Sequence, residues 1–161
     1  LENIYLDAFQ QESTPGGKRY PEVEKRLNDR VQKGALIINY IGHGGEVGWA
    51  HERILDVNTI VNWTNINNLT LFYTATCEFA RFDDPARVSA GEECVLNPNG
   101  GSVAILSTTR LVFSAQNFTL TNRFYDHVFN STDDPDYRLG DVVMLTKQAS
   151  AGPSNNYRNF S

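Results

Sequence analysis

Two cysteines among 161 residues are too few for a disulfide framework. No apolar run approaches the roughly 20 residues that span a bilayer. Positive charge is short: Lys plus Arg is 14 against 19 for Asp plus Glu, a formal net charge of −5. That balance argues against nucleic acid or an anionic membrane surface as the main partner. The chain has no P-loop, no GxGxxG fingerprint and no Gly-x-Ser-x-Gly elbow, which removes three common site types. It has no internal repeat, no low-complexity segment and no domain boundary, and its length suits one domain with a real core. It begins at Leu1 and ends in a polar stretch at Ser161, and so reads as a piece of a longer protein in which a missing signal peptide excludes nothing.

What is present is two apolar, β-branched runs that each end on a reactive residue. Ala35 to Ile41 leads into Gly42-His43-Gly44-Gly45, and Leu69 to Thr76 leads into Cys77. Each run predicts a buried strand. The stretch between them is long enough for a crossover helix, which makes a βαβ unit with parallel strands. Ligand crevices in open α/β sheets form beyond the carboxyl ends of such strands. His43 and Cys77 are therefore expected on one sheet edge, with strands about 4.8 Å apart if they are neighbours.

The rest of the chain is expected to frame that unit. Asn3 to Phe9 predicts a strand, followed by a polar loop around Pro15-Gly16-Gly17. Pro21 opens a helix with Val23, Leu27 and Val31 on one face, and Gly34 stops it. Trp49 to Arg53 reads as a loop. Asp56 caps a short helix that turns Val57, Ile60, Val61 and Trp63 inward. Ser89-Ala90-Gly91-Glu92 has capping-box spacing, with Cys94, Val95 and Leu96 on the helix that follows. Ser102 to Ser107 is a third buried strand. Helices are expected over residues 116–130 and 141–149, separated by Asp133-Asp134-Pro135, and the tail from Gly152 to Ser161 is read as loop.

Each candidate residue has a plainer reading. A free cysteine is most often a small buried hydrophobe. Cys94, inside a helical pattern, fits that role. Cys77 ends a strand and precedes the charged loop Glu78 to Pro85, which fits a nucleophile. A histidine can simply turn the chain. Around His43, however, Gly42, Gly44 and Gly45 strip away side chains and let a substrate backbone approach. The Gly44 N–H can face a developing oxyanion. His51 could line the cleft, and His127 reads as an exposed helix residue. One His and one Cys make half a tetrahedral metal set, so no metal and no cofactor is expected.

The order "apolar block, His-Gly, spacer, apolar block, Ala-x-Cys" resembles the caspase-like cysteine peptidases, a group that includes legumain, clostripain, separase and the gingipains. The caspase hallmark Gln-Ala-Cys-x-Gly is absent, and Thr74-Ala75-Thr76-Cys77-Glu78 stands in its place. Gly42-His43-Gly44-Gly45-Glu46 with Trp49-Ala50 is similar to the gingipain pattern. The stretches Asn39 to Gly45, Thr74 to Phe79 with Arg81 to Pro85, and Asn97 to Gly101 look like the PorU type, the C-terminal signal peptidase or sortase of bacterial type IX secretion.

The resemblance implies an α/β, caspase-like three-layer sandwich with a mostly parallel sheet. Residues 1–161 would form a single domain, the C-terminal, dyad-bearing part of the catalytic domain. It implies a dyad of His43 and Cys77, and an oxyanion hole from the backbone N–H groups of Gly44 and Cys77. Pocket candidates are Thr76, Glu78, Ser107, Thr108, Thr109 and Arg110, and Glu46 is the in-chain candidate to orient the histidine. The implied substrate is the C-terminal sorting domain of exported proteins, the acyl acceptor an amine on anionic lipopolysaccharide, and the partners other type IX components at the outer, cell-surface membrane. Arg81 would hold an anionic group of the acceptor, and a carboxylate among Glu78, Asp83 and Asp84 would take the amine's proton. A secreted gingipain-like endopeptidase without transfer, and a catalytically dead interaction domain, stay open beside this reading.

Overall fold

The computed structural model describes residues 1–130, 137–152 and 156–161. The expected break at Asp133-Asp134-Pro135 lies outside the described residues. The chain opens with a 3-10 turn at Leu6–Ala8 and an exposed hairpin, β1 (Glu12–Thr14) and β2 (Gly17–Arg19). Helix α1 (Pro21–Lys33) leads to β3 (Ile37–Ile41). Three two-residue strands follow, β4 (Gly44–Gly45), β5 (Gly48–Trp49) and β6 (Leu55–Asp56). Then come α2 (Val57–Val61), β7 (Thr70–Ala75), α3 (Ala90–Leu96), β8 (Ser102–Leu106), α4 (Ser114–Phe129) and α5 (Leu139–Ala149).

The main sheet runs β3-β7-β8, all parallel. Alternation along its strands feeds two cores, because successive side chains point to opposite faces. Ile38 and Phe72 join one core with Val23, Leu27 and Val31 of α1, Ile60 of α2 and Cys94 of α3. Tyr73, Ala75 and Leu106 join the other with Leu120 and Phe124 of α4 and Val142 of α5. Helices thus cover both faces of a parallel sheet, the three-layer arrangement expected of the α/β class. Among the described residues no helix is long and apolar enough to cross a membrane.

Local signals place most of these elements. Gly34, at φ 83°, ends α1, and its N–H returns to the Arg30 and Val31 carbonyls. The Asp56 side chain accepts from the Thr59 N–H and starts α2. Ser89 and Glu92 form the capping box of α3.

Four expectations are corrected. Asn3 to Phe9 is not a strand: Ile4, Leu6 and Phe9 pack on the first core from the 3-10 turn and the residues on either side of it, and among the described residues no strand runs beside it to complete a ladder. β3 and β8 are the outer strands of the β3-β7-β8 sheet and are buried only in part, with Ile41 and Val103 exposed, so of the three strands expected to be buried only β7 is so along its length; the loop expected from Trp49 to Arg53 is present, Trp49 ending β5 and Ala50 to Arg53 turning back towards β6. Val61 faces outward, because the single short turn of α2 sends Ile60 into the first core and packs Val57 against it while Val61 lies on the opposite side. The tail is tied down. Phe160 is fully buried, Thr108 bridges to it, and Ser107 and Ser161 exchange both backbone bonds at 2.9 and 2.8 Å.

Candidate active site

Strands β3 and β7 pair in parallel with Ile41 opposite Ala75. His43 and Cys77 each lie two residues beyond that last pair, so equal lengths of chain carry them off the same edge. The loops touch one residue further on. A Cβ placed on Gly44 would lie 2.6 Å from the Thr76 hydroxyl oxygen and 2.9 Å from the Gly48 carbonyl. Glycine is what lets the His43 loop close onto the residue before Cys77.

The backbone of His43 is pinned from two sides. Its carbonyl accepts from the Tyr40 hydroxyl at 2.7 Å and from the Ala50 N–H at 2.7 Å. Burial pushes the Tyr40 phenol up to about 12, so it remains a donor at neutral pH. The Tyr40 ring stacks on buried Trp49, centroids 4.3 Å apart, and Trp49 packs on Phe72 and Phe79. The exposed imidazole therefore stands on a fixed base. Its ring centroid lies 5.9 Å from that of His51, and the two rings line one cavity that no residue of the Cys77 loop reaches.

Cys77 is half-buried, and its thiol points to the Val112 carbonyl at 3.7 Å, a weak S–H bond. Its neighbour Glu78 has φ 53°, a left-handed backbone that non-glycine residues adopt at an energetic cost of order 1–3 kcal/mol. Several contacts hold that turn. The Glu78 N–H reaches the Arg110 carbonyl at 3.3 Å, the Ala80 N–H reaches Thr108 at 3.0 Å, and the Thr108 hydroxyl donates to the Thr76 carbonyl.

The pocket candidates divide. Ser107 and Thr108 are fully buried, and their hydroxyls are spent on Thr74 and Thr76, so they brace the strand ends and line no open pocket. The Thr109 backbone and hydroxyl both engage the Asn159 carbonyl. Arg110 pairs with Asp83 at 2.8 Å. Thr76 and Glu78 alone flank Cys77 in sequence, and the Thr76 hydroxyl is buried with no hydrogen-bond partner among the described residues. His127 is half-buried rather than exposed, and Cys94 sits in the first core as expected.

Two charged candidates take other roles. The Glu46 carboxylate meets Arg81 at 2.9 Å and Arg87 at 3.1 Å, so it serves those arginines and not the histidine. Arg81 also meets Glu78 at 3.2 Å and reaches Asp84 at 4.0 Å. Its guanidinium is committed, which removes it as the holder of an acceptor anion. Asp83 is likewise held, its carboxyl kept below the usual range by Arg110. Sequence reasoning missed this cluster because Glu46 and Arg81 lie 35 positions apart with no local signal.

Arg81 staples the loop that carries Cys77 to the loop that carries His43. Arg81→Ala should lower the melting temperature by a few degrees, since about 1 kcal/mol moves a domain of this size by roughly 2–4 °C. Arg81→Lys should recover part of the loss, and the difference should shrink in high salt. Thermal melts at two ionic strengths check this; identical melts for all three proteins would mean that the cluster contributes nothing.

The model of a family described as Peptidase family C25 matches residues 1–161. The fold is similar to the crystal structure of the Arg-specific cysteine proteinase gingipain R, with a TM-score of 0.70 and 20% identity over 79% of this chain and 30% of that one. It is equally similar to the complex of Porphyromonas gingivalis RgpB pro- and mature domains: TM-score 0.70 and 20% identity, over 79% of this chain and 31% of that one. A structure described only as a protease gives a TM-score of 0.71 at 16% identity, over 82% of this chain and 34% of that one. The chain thus spans about a third of the solved structures it matches. No curated protein matches it.

Proposed function

The chain belongs to peptidase family C25, and from that membership we propose that it carries the catalytic dyad of a cysteine peptidase, Cys77 as nucleophile and His43 as acid–base. The matched register of β3 and β7 carries this reading, because it sends an imidazole and a thiol off one sheet edge on loops that touch at Gly44 and Thr76. The Cys77 sulfur, as thiolate, adds to the scissile carbonyl carbon. The N–H groups of Gly44 and Cys77 face the oxyanion. The C–N bond then breaks, and the leaving nitrogen takes its proton from His43.

The finer reading is a sortase-like acyl transfer. The substrate is the C-terminal sorting domain of type IX secreted proteins, and the acyl group passes to an amine on anionic lipopolysaccharide at the cell surface, beside other type IX components. Its support is the PorU-like stretch from Thr74 to Pro85. With Arg81 held by three carboxylates, an anionic acceptor has to be gripped elsewhere.

A thiol-directed peptidyl inhibitor tests the dyad. One adduct should form, on Cys77. Cys94 should stay unmodified, because burial pushes its thiol far up and shields it. Peptide mapping by mass spectrometry reads the result, and an adduct on Cys94 with Cys77 free would sink the assignment.

A further inference from the structure

Residues between His43 and Arg53 line a half-open cavity of about 300 Å³. Its walls include His43, Gly44, Val47, Ala50, His51 and Arg53, all from the segment that follows β3. No residue of the Cys77 loop lines it. Ala50 and Arg53, at φ 60° and 53°, hold the far rim in left-handed turns. Arg53 is exposed and makes no ion pair among the described residues. Glu46 is drawn away by Arg81 and Arg87, and Glu52 does not line the cavity. The walls therefore carry one guanidinium, two imidazoles and no carboxylate.

We infer that this cavity is the leaving-group subsite, and that it takes an acidic side chain on the amine side of the scissile bond. The inference rests on the His43–Cys77 reading above. In that reaction the acyl carbon becomes bonded to sulfur, and the departing nitrogen receives the proton held by His43. The amine component therefore lies on the imidazole side. A cavity that shares His43 but nothing from the thiol loop is on that side. Its volume is at the small end for ligand pockets, which suits one side chain. Its chemistry suits a carboxylate: Arg53 offers a fixed fork of donors, and His51 offers an N–H whether neutral or charged. A lysine there would meet like charge.

The test uses the full-length protein and three peptide pools, randomised on the acyl side and identical beyond it except for Glu, Ala or Lys directly after the scissile bond. The Glu pool should be cleaved about tenfold faster than the Ala pool, and the Lys pool slowest, with the spread narrowing as salt rises. Arg53→Glu should invert the order of the Glu and Lys pools. Equal cleavage of the three pools, or an order that Arg53→Glu leaves unchanged, overturns the subsite while the dyad stands. No cleavage of any pool overturns the dyad reading and the subsite together.

Discussion

Cys77→Ala should lower kcat/KM for peptide cleavage by roughly 10⁴-fold or more, the scale on which nucleophile deletions fall. The fold should survive. The thiol is half-buried at a loop, and its one hydrogen bond, to the Val112 carbonyl at 3.7 Å, is weak. Removing the sulfur leaves a small gap near the surface, worth less than about 1 kcal/mol. His43→Ala should fall as far. The double variant should fall little further, because nucleophile and base act as one unit. Cys94→Ala is the counter-case. That side chain is fully buried in the first core, so its loss should cost on the order of 1 kcal/mol of stability and leave activity in place. Paired turnover assays and thermal melts separate the two. Cleavage by Cys77→Ala within a few-fold of the parent would remove the nucleophile from the proposal.

Much of the frame around that cysteine is legible without coordinates. Ile37 to Ile41 and Leu71 to Ala75 are apolar runs that announce a parallel pair, although only the second is buried along its length, since β3 lies at the edge of the sheet with Ile41 exposed. Caps at Asp56 and Ser89 are local hydrogen-bond signals, readable from a few neighbouring residues. The sheet made by β4, β5 and β6 is not readable in this way. Three of its six residues are glycine, whose strand propensity is poor, and each strand is only two residues long, too short for alternation to show. The tail misleads for a related reason: one buried aromatic, Phe160, anchors an otherwise polar stretch, and no periodicity marks it. The Glu46–Arg81–Arg87 cluster is invisible because it joins separate loops. The residues that brace the candidate site, more than those proposed to react, are the ones that needed three dimensions.

The glycines after His43 give a sharp test of that bracing. Gly44→Ala should reduce turnover by about 10²-fold and lower the melting temperature by several degrees, while Gly45→Ala stays within a few-fold of the parent. The two substitutions remove similar backbone freedom from the unfolded chain, so that contribution cancels in the comparison. They differ in the folded state. Nothing lies within 4 Å of a Cβ built on Gly45. On Gly44 the new carbon would meet the Thr76 hydroxyl oxygen at 2.6 Å, the Gly48 carbonyl at 2.9 Å and the Thr76 methyl at 3.2 Å. Gly48 is backbone of the paired strand, and Thr76 is fully buried, so neither yields cheaply. Overpacking of this kind costs typically about 1–3 kcal/mol. Relief requires the His43 loop to lift from the Cys77 loop, and a misplacement of about 1 Å between reacting groups can cost on the order of 10²-fold. Thr76→Ala in the Gly44→Ala background removes two of the three contacts and should restore part of both losses, although the Gly48 carbonyl remains. If Gly44→Ala and Gly45→Ala behave alike, contact between the two loops is not what holds the imidazole and the thiol in place.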